Sequence, residues 1–341
     1  MRHQLRIEPH GRVIDVQSSQ SVLEAALAAG LNLPHSCKSG HCASCRARLR
    51  SGSIDYPRGR PLGITEAEAL SGQVLLCQAH ALTDLVVEVR LIARVGEVEI
   101  KTLPCRIEHM ERPAPDVMRL WLRLPAVEAF AFHPGQYLDV LLADEQRRSF
   151  SIASPPHDAK LLELHIRHAP GGAFTTPLFE RTGVGALLRV EGPLGQFAYQ
   201  PSAAPLLLVA GGTGYAPIKS ILRHVLETGI ERTVQLYWGA RTAVDVYEDA
   251  ELLTIGKQYP QLRYVAVLSH ANAAAAHQRL GWVHEAVLAD HADLSGFDIY
   301  AAGPPALIEA LRRQFPLHGA QPERIYFDSF DYAPQALGVS A

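Results

Sequence analysis

Residues 1–94 alternate short apolar segments with turns, a pattern typical of a small α+β unit. Ser21 precedes an apolar run and Glu24 follows three residues later, which is the signature of a capped helix N-terminus. Gly30 is predicted to end that helix. The remaining elements of this unit are predicted strands at residues 4–8, 12–16, 74–77 and 85–89 and a short helix after Thr65.

After a predicted linker at residues 95–103, residues 104–200 carry strand-like segments at short intervals. Turns rich in glycine and proline separate these segments. Short strands at such spacing predict an antiparallel β-barrel. The predicted strands of this second domain are residues 117–124, 136–142, 161–168 and 187–191.

From residue 201 the pattern changes to apolar strands that alternate with helical segments. Alternation of this kind predicts an α/β domain, a parallel sheet with helices on both faces. This third domain is predicted to end at residue 332, before a tail at residues 333–341. Its predicted strands are residues 206–209, 234–237, 264–268, 298–300 and 324–327, and its predicted helices are 217–227, 245–253, 282–290 and 305–314.

The composition of the 341 residues narrows the classes of function. The chain is 48% hydrophobic and 20% charged, as expected of a multidomain globular protein. A net charge of −3 gives no basic footprint for nucleic acid, so no nucleic-acid partner is expected. The N-terminus lacks the apolar core of a signal peptide, and the apolar runs are too short to span a bilayer. We therefore expect a cytoplasmic protein without membrane insertion.

Four of the five cysteines lie in the first 80 residues, and their spacing indicates a metal cluster. The arrangement Cys37-x4-Cys42-x2-Cys45, with Cys77 farther on, matches a plant-type [2Fe–2S] site. Small residues in the loop allow the backbone to wrap around the inorganic core. A zinc site or inert thiols are the alternatives, but zinc sites usually pair two short cysteine knuckles or add histidine. We predict these four residues as cluster ligands and Cys105 as a small buried hydrophobe.

A predicted strand at residues 147–152 carries Arg148, Phe150 and Ser151. A flavin needs a cation for its pyrophosphate, a surface for its ring and a hydrogen-bond partner near N5, and these three residues supply those types. An ordinary amphipathic strand is the alternative. Gly172 and Thr175 follow at a predicted helix start, where free N–H groups suit a pyrophosphate.

Gly211, Gly212, Thr213 and Gly214 join the first strand of the third domain to a helix. Glycines let the backbone approach a pyrophosphate, and a helix N-terminus offers positive potential. The segment is not the six-residue Rossmann fingerprint, and a glycine-rich turn alone is weak support for a nucleotide site. Arg241, which follows the next strand, could face the ribose of a nucleotide.

Residues 1–90 resemble a plant-type ferredoxin through the cysteine motif. The resemblance implies the β-grasp fold of that family. In that family the first two cysteines of the loop share one iron. By resemblance, Cys37 and Cys42 would hold one iron, and Cys45 and Cys77 would hold the other.

The rest of the chain, to about residue 330, resembles the ferredoxin–NADP reductase superfamily. Its flavin signature is Arg-x-Tyr-Ser followed by Gly-x-x-Ser/Thr. The resemblance implies bound FAD, with Arg148 at the pyrophosphate and with Phe150 and Ser151 against the flavin. Gly172 and Thr175 would complete the pyrophosphate site. Phe150 stands where the family usually has tyrosine, so the phenol hydroxyl of that tyrosine is absent here.

The same resemblance covers the nucleotide loop, because Gly-Gly-Thr-Gly-x-x-Pro is typical of the superfamily. Gly303 and Pro304 stand in the family's Cys-Gly-Pro-Pro motif, with Ala302 in place of the cysteine that lies beside the nicotinamide. Phe330 matches the place of an aromatic residue near the flavin, and core packing is the alternative. Ser151 and Phe330 are therefore the predicted catalytic residues.

The choice between NADH and NADPH depends on Arg241. One arginine could pair with a 2′-phosphate, but members of the family that use NADH often carry one there too. No cluster of basic residues reinforces it in the sequence. We therefore favour NADH, with NADPH as the alternative.

The order of ferredoxin, flavin barrel and nucleotide domain most resembles the CDP-6-deoxy-3,4-glucoseen reductase group, and oxygenase reductases share it. The resemblance implies electron flow from NADH through FAD and [2Fe–2S] to a partner protein, a sugar 3-dehydrase or an oxygenase component. Two alternatives stay open. One is an electron-carrier subunit of a larger complex with an idle nucleotide site, which Ala302 alone favours. The other is a free flavin or ferric reductase.

Overall fold

The computed structural model describes residues 1–35, 38, 40, 45–61, 63–89, 98–126, 130–143, 146–272 and 274–330. The chain divides into two units, Met1–Glu97 and Val98–Ala341. The predicted ligands Cys37 and Cys42 and the predicted tail at 333–341 lie outside the described residues. Among the helices that are described, none combines the length and the apolar character needed to cross a membrane.

The first unit is an α+β fold built on a five-stranded sheet, as the sequence predicts. Ser21 and Glu24 exchange the two hydrogen bonds of a capping box, and Thr65 and Glu68 do the same at the second helix. The strands are β1 (Arg2–Glu8), β2 (Arg12–Gln17), β3 (Arg46–Ser51), β4 (Ile54–Asp55), β5 (Gln73–Leu75), β6 (His80–Ala81) and β7 (Leu85–Glu88), and the helices are α1 (Val22–Ala28) and α2 (Glu66–Leu70). The sheet order is β2-β1-β7-β3-β5, with β1 and β7 parallel.

Six antiparallel strands open the second unit. They are β8 (Lys101–Ala114), β9 (Val117–Arg123), β10 (Tyr137–Leu141), β11 (Arg147–Ser151), β12 (Leu162–Arg167) and β13 (Leu187–Leu194), with the short helix α3 (Thr175–Glu180) between the last two. Their order is β11-β10-β13-β8-β9-β12. The two edges of this sheet meet where Ile152 and Leu164 form an antiparallel bridge. The sheet therefore curls around one apolar core, in agreement with the predicted barrel.

β8 is a strand that the sequence pattern did not predict. It begins at Lys101, inside the segment predicted as a linker, and continues through Pro104. A proline usually interrupts a strand because it lacks an N–H group. Its presence conceals the alternation of Leu103, Cys105 and Ile107, all of which are buried.

The rest of the second unit is a six-stranded parallel sheet with an apolar core on each face. Its strands are β14 (Leu206–Gly211), β15 (Val234–Ala240), β16 (Leu262–Leu268), β17 (Gln278–Leu280), β18 (Asp298–Gly303) and β19 (Ile325–Ser329), and its helices are α4 (Tyr215–Glu227), α5 (Asp249–Gln258), α6 (Val283–Asp290) and α7 (Pro305–Gln314). The order is β17-β16-β15-β14-β18-β19. The predicted α/β architecture is confirmed. In such sheets ligands bind beyond the carboxyl ends of the strands where the strand order reverses, here between β14 and β18.

Candidate functional site

Cys45 and Cys77 lie together at the ends of two paired strands. Cys45 directly precedes β3, and Cys77 follows β5 by two residues. The Leu76 N–H donates to the Cys45 carbonyl at 3.1 Å, which fixes the two strand ends beside each other. Both cysteines are buried, and neither forms a disulfide with another described cysteine. The structure thus brings together the two predicted ligands that it describes.

Gln78 ties Lys38 and Gly40 to the segment that carries Cys77. Its side-chain amide donates to the carbonyls of Lys38 at 2.8 Å and of Cys77 at 3.0 Å. Gly40 adopts a left-handed φ of 84° and packs so closely that a Cβ there would lie 2.8 Å from the Gln78 side chain. The sequence did not predict these contacts of Gln78, because this residue belongs to no motif.

β11 carries the three predicted flavin residues at the edge of the barrel sheet. Ser151 is buried and lies opposite Tyr137 of β10. Phe150 is half-buried, with its ring centre 5.4 Å from that of Phe174. Arg148 is half-buried and donates hydrogen bonds to its two preceding residues. The ring contact places this strand next to the loop that precedes α3.

That loop contains Gly172, and Thr175 is the first residue of α3. The Thr175 hydroxyl donates to the Ala169 carbonyl at 2.8 Å and accepts from the Ala169 N–H at 3.1 Å. A Cβ on Gly172 would lie only 2.6 Å from the same hydroxyl, so a larger residue would displace it. The Thr175 side chain therefore shapes the loop, and the Phe150–Phe174 ring contact places this loop beside β11.

The glycine loop, Gly211–Gly214, closes tightly against the end of β18. A Cβ on Gly214 would overlap the carbonyl of Ala302 and would lie 2.7 Å from the Gly303 Cα. Thr213 is buried within the loop. This packing brings backbone rather than side chains to the crevice between β14 and β18. A backbone of that kind can approach the pyrophosphate of a dinucleotide closely.

A cavity of about 390 Å³ opens along the carboxyl edge of the parallel sheet. Its walls are the glycine loop, the start of α7 with Pro304, and the ends of β15 and β16. The volume lies in the range of about 300–1,000 Å³ that is usual for ligand pockets. The predicted residue Arg241 lines this cavity. The charged, imidazole and indole side chains in its wall are Arg167, Arg241, His270, Trp282 and His284.

Arg167, at the end of β12, reaches the glycine loop from the barrel. Its guanidinium packs against Gly212, where a Cβ would lie 3.0 Å from it. The Nε of Arg167 is buried and has no hydrogen-bond partner in the described part of the chain. Trp238 holds the same loop from the sheet, because its indole N–H donates to the Gly212 carbonyl at 3.0 Å. Neither residue was among the predicted site residues.

Phe330 and Ser151, the predicted catalytic residues, come from opposite halves of the second unit. The Phe330 N–H donates to the Gly303 carbonyl at 2.9 Å, which places the residue beside the end of β18. Ser151 ends β11, and three residues later the Ser154 carbonyl accepts from the Ser220 hydroxyl of α4 at 2.8 Å. The flavin strand is therefore tied to the helix that follows the glycine loop.

A buried charge network joins the barrel to the nucleotide half. Glu163 accepts from Arg119 at 2.7 Å and from Lys219 at 3.1 Å, and Lys219 also donates to Glu248 at 2.8 Å. Burial alone raises the pKa of Glu163, but His165, Lys219 and Arg119 together lower it far below its ordinary value. Glu163, His165 and Glu248 have the composition of a metal site. Lys219 and Arg119 already supply the positive charge there.

The polar residues of β12 explain why the buried charge network was not predicted from the sequence. Its apolar residues pack in the barrel core, whereas Glu163, His165 and Arg167 alternate with them and contact the nucleotide half. Charged side chains at alternate positions of a strand usually mark a solvated face. Glu163 and His165 are instead 3% and 5% exposed, because Lys219 of α4 contacts Glu163, and Tyr247, which precedes α5, contacts His165.

Three sequence families match successive parts of the chain. The 2Fe-2S iron-sulfur cluster binding domain matches residues 5–82. The oxidoreductase FAD-binding domain matches residues 104–199, and the oxidoreductase NAD-binding domain matches residues 208–313. These matches confirm the predicted cofactors at the level of a cluster, FAD and a nicotinamide nucleotide.

Full-length relatives show the same three-part layout. A CDP-6-deoxy-L-threo-D-glycero-4-hexulose-3-dehydrase reductase of Yersinia pseudotuberculosis is 34% identical over 96% of this chain and 98% of its own length. Reductase component 1 of a terephthalate 1,2-dioxygenase from Comamonas is 34% identical over 98% of this chain and 99% of its own length. The chain belongs to the family of iron–sulfur flavoprotein reductases.

The fold of this reductase agrees with solved structures. The Amycolatopsis cytochrome P450 reductase GcoB superposes with a TM-score of 0.71 at 33% identity, over 96% of this chain and 98% of the other. The protein is therefore an oxidoreductase that uses NAD(P)H, FAD and a [2Fe–2S] cluster, and it passes electrons to a partner protein.

The donor groups of the reductase fit these cofactors. Cys45 and Cys77 offer two thiols at neighbouring strand ends, and thiolates are the soft ligands that iron–sulfur clusters require. The glycine loop excludes side chains from the crevice at Gly214. Ala302 is fully buried in the core of the sheet and is absent from the described cavity wall. Ala302 therefore forms part of the core and not of the cavity wall.

Gly214→Ala is expected to slow flavin reduction by NADH by roughly 100-fold, because a misplacement near 1 Å can cost about that much in rate. The added Cβ would force the loop away from Ala302. The measurement is the bleaching rate of bound flavin after rapid mixing with NADH. Gly256→Ala is the control, since its Cβ would meet nothing within 4 Å. A wild-type rate in Gly214→Ala would contradict the proposed role of the loop.

Proposed function

We propose that the reductase binds NADH in the cavity beside the glycine loop and delivers single electrons through its cluster to a separate protein. One observation carries this proposal. The glycine loop, Arg167 of the barrel and the helix tied to the flavin strand all meet at one edge of the parallel sheet. When bound, FAD accepts a hydride and releases electrons one at a time, which matches the one-electron capacity of a [2Fe–2S] cluster.

On the flavin side, Arg148 is proposed to neutralise the FAD pyrophosphate. Gly172 and Thr175 would keep the adjoining loop close enough for its backbone to reach the same group. Phe150 would offer the face of its ring, and Ser151 would hold a hydrogen bond to the flavin. Support comes from the Phe150–Phe174 ring contact, which joins the strand to the loop.

On the nicotinamide side, the backbone of Gly211–Gly214 is proposed to receive the dinucleotide pyrophosphate, with Arg167 adding positive charge. Gly303 and Pro304 would support the loop at the end of β18. Phe330, held by its hydrogen bond to Gly303, would exclude water from the flavin face. No side-chain acid or base is required for the hydride step.

Cys37, Cys42, Cys45 and Cys77 are proposed as the four cluster ligands. We propose domains at residues 1–94, 104–200 and 201–332, with a linker at 95–103 whose last residues, from Lys101, already belong to β8. The acceptor is proposed to be a dehydrase or an oxygenase component, because the similar proteins include a reductase for each kind. We also place the protein in the cytoplasm, where NADH is available to it.

Anaerobic rapid mixing with NADH tests this function. We expect the flavin absorbance to bleach first and the cluster absorbance to fall afterwards. Absorbance changes in neither cofactor would favour the electron-carrier alternative. Reduced flavin beside a cluster that stays oxidised would favour the free flavin reductase. Steady-state turnover with a purified sugar dehydrase and with a purified oxygenase component then distinguishes the two acceptor classes.

A further inference from the structure

Arg241 is held by two carboxylates that come from different parts of the second unit. Its guanidinium donates to Asp245 at 2.8 Å and to Asp116 at 2.9 Å. Asp245 belongs to the nucleotide half, whereas Asp116 lies in the barrel, in the turn between β8 and β9. Asp116 also lies 3.5 Å from the guanidinium of Arg167. The barrel therefore supplies an acidic group to the cavity region.

The position of Arg241 in the sheet indicates that this ion pair lies where a bound dinucleotide would place its adenosine ribose. Arg241 follows β15, which neighbours β14 in the sheet. In dinucleotide-binding sheets, an acidic group in this region bonds the free 2′-hydroxyl of the adenosine ribose, whereas an arginine accommodates a 2′-phosphate. Both types are present here, and the arginine is already paired with carboxylates.

The net charge of the side chains around Arg241 favours NADH over NADPH. Arg167 and Arg241 carry two positive charges, and Asp116 and Asp245 carry two negative ones. A 2′-phosphate would add roughly −1.5 to −2 to a group of side chains that is already balanced. It would also compete with Asp116 for the same guanidinium groups. A free 2′-hydroxyl adds no charge, and it leaves the ion pairs of Asp116 and Asp245 with the two arginines in place.

We infer that Asp116 is a specificity-determining residue, which occupies Arg241 and Arg167 so that the site favours NADH over NADPH. This inference rests on the proposed function, since it assumes that the cavity holds a nicotinamide dinucleotide. It assigns part of the nucleotide preference to the flavin-binding half of the molecule.

The decisive experiment compares 5′-AMP with 2′,5′-ADP, the adenosine portions of NADH and NADPH. Isothermal calorimetry on the FAD- and cluster-loaded protein gives a dissociation constant for each. Wild type is expected to bind 5′-AMP at least as tightly as 2′,5′-ADP. Asp116→Asn removes the charge with little change in shape. Arg241 then keeps only Asp245 as a carboxylate partner, and its guanidinium can donate to a 2′-phosphate, which should shift the affinity ratio toward 2′,5′-ADP by roughly tenfold to a hundredfold.

Two further variants test whether the change in affinity ratio arises from the pairing of Asp116 with Arg241. Asp158→Asn is the matched control, because Asp158 also pairs with an arginine, Arg223 at 3.2 Å, and Arg223, unlike Arg241, does not line the cavity. Its affinity ratio should equal that of wild type. Adding Arg241→Gln to Asp116→Asn should remove most of the gain, since the freed guanidinium would then be absent.

The outcomes separate this inference from the proposed function. An unchanged ratio in Asp116→Asn that still carries FAD would overturn the inference while the nucleotide site stands. A wild type that binds 2′,5′-ADP more tightly would overturn it as well, whatever the variants do. A wild type that binds neither 5′-AMP nor NAD⁺ would overturn the proposed site itself. The kcat/KM ratio for NADPH over NADH should move in the same direction as the affinity ratio.

Discussion

Cys77→Ala is expected to stop electron delivery to cytochrome c while NADH still reduces the flavin. Alanine offers no ligand, so the cluster loses one of its four proposed thiolates. Loss of even an outer partner of a metal ligand costs about 10–100-fold in affinity or activity. Cytochrome c reduction should therefore fall by more than roughly 100-fold. Ferricyanide takes electrons directly from reduced flavin, and its reduction should continue.

The matched control for this experiment is Cys105→Ala. The Cys105 thiol is buried in the barrel core, and burial raises its pKa to about 12. A neutral thiol in that position is not a metal ligand, so the control should keep its full iron content. Iron and sulfide analysis and the visible spectrum of both variants provide the measurement. A full cluster spectrum in Cys77→Ala would show that the assigned ligand set is wrong.

Lys219→Met is expected to lower the free energy of unfolding by about 3–5 kcal/mol, the usual effect of removing one partner from a buried ion pair. Lys219 is 2% exposed, and its loss leaves Glu163 and Glu248 buried with too little positive charge. For a unit of this size the midpoint of thermal unfolding should fall by about 10 °C. Differential scanning calorimetry of the holoprotein measures the shift.

Lys257→Met removes the same charge from an exposed position of α5 and should change the midpoint little. Adding Glu248→Gln to Lys219→Met restores the charge balance and should recover part of the lost stability. If Lys219→Met and Lys257→Met unfold at the same temperature, the network contributes nothing measurable.

The same network predicts the response to acid. The folded pKa of Glu163 lies well below the ordinary carboxyl value of 4.5, because His165, Lys219 and Arg119 outweigh the effect of burial. A carboxylate with a lowered pKa stabilises the fold at pH values above its unfolded pKa. That contribution should shrink as the pH falls below about 4.5 toward the folded pKa. In Glu163→Gln the acid-dependent loss should be smaller.

Structural features that depend only on residues close together in the sequence could be predicted from the sequence. The capping boxes at Ser21 and Thr65, the glycine loop and the alternation of strands and helices after residue 201 all agree with the structure. Each depends on local backbone chemistry, which a short window of sequence contains. The longest strand that was not predicted is β8, where Pro104 concealed a buried alternation.

Features that depend on distant residues could not be predicted. Arg241 and Asp116 are 125 residues apart, and Lys219 and Glu163 are 56 apart. A single sequence indicates that each of these side chains is charged, but not which charge it meets. The same limit explains Arg167, whose place against the glycine loop depends on how the barrel meets the parallel sheet.

The ion pair between Asp116 and Arg241 joins the FAD-binding segment to the NAD-binding segment, and recombination can separate these two segments. The matched FAD-binding segment ends at residue 199 and the matched NAD-binding segment begins at residue 208, so a gene fusion between them would separate Asp116 from Arg241. A hybrid that joined this nucleotide half to a barrel without that acid would inherit altered coenzyme selectivity, although every residue of its own nucleotide segment stayed the same. Coenzyme use in such chains should therefore be inferred from both segments together.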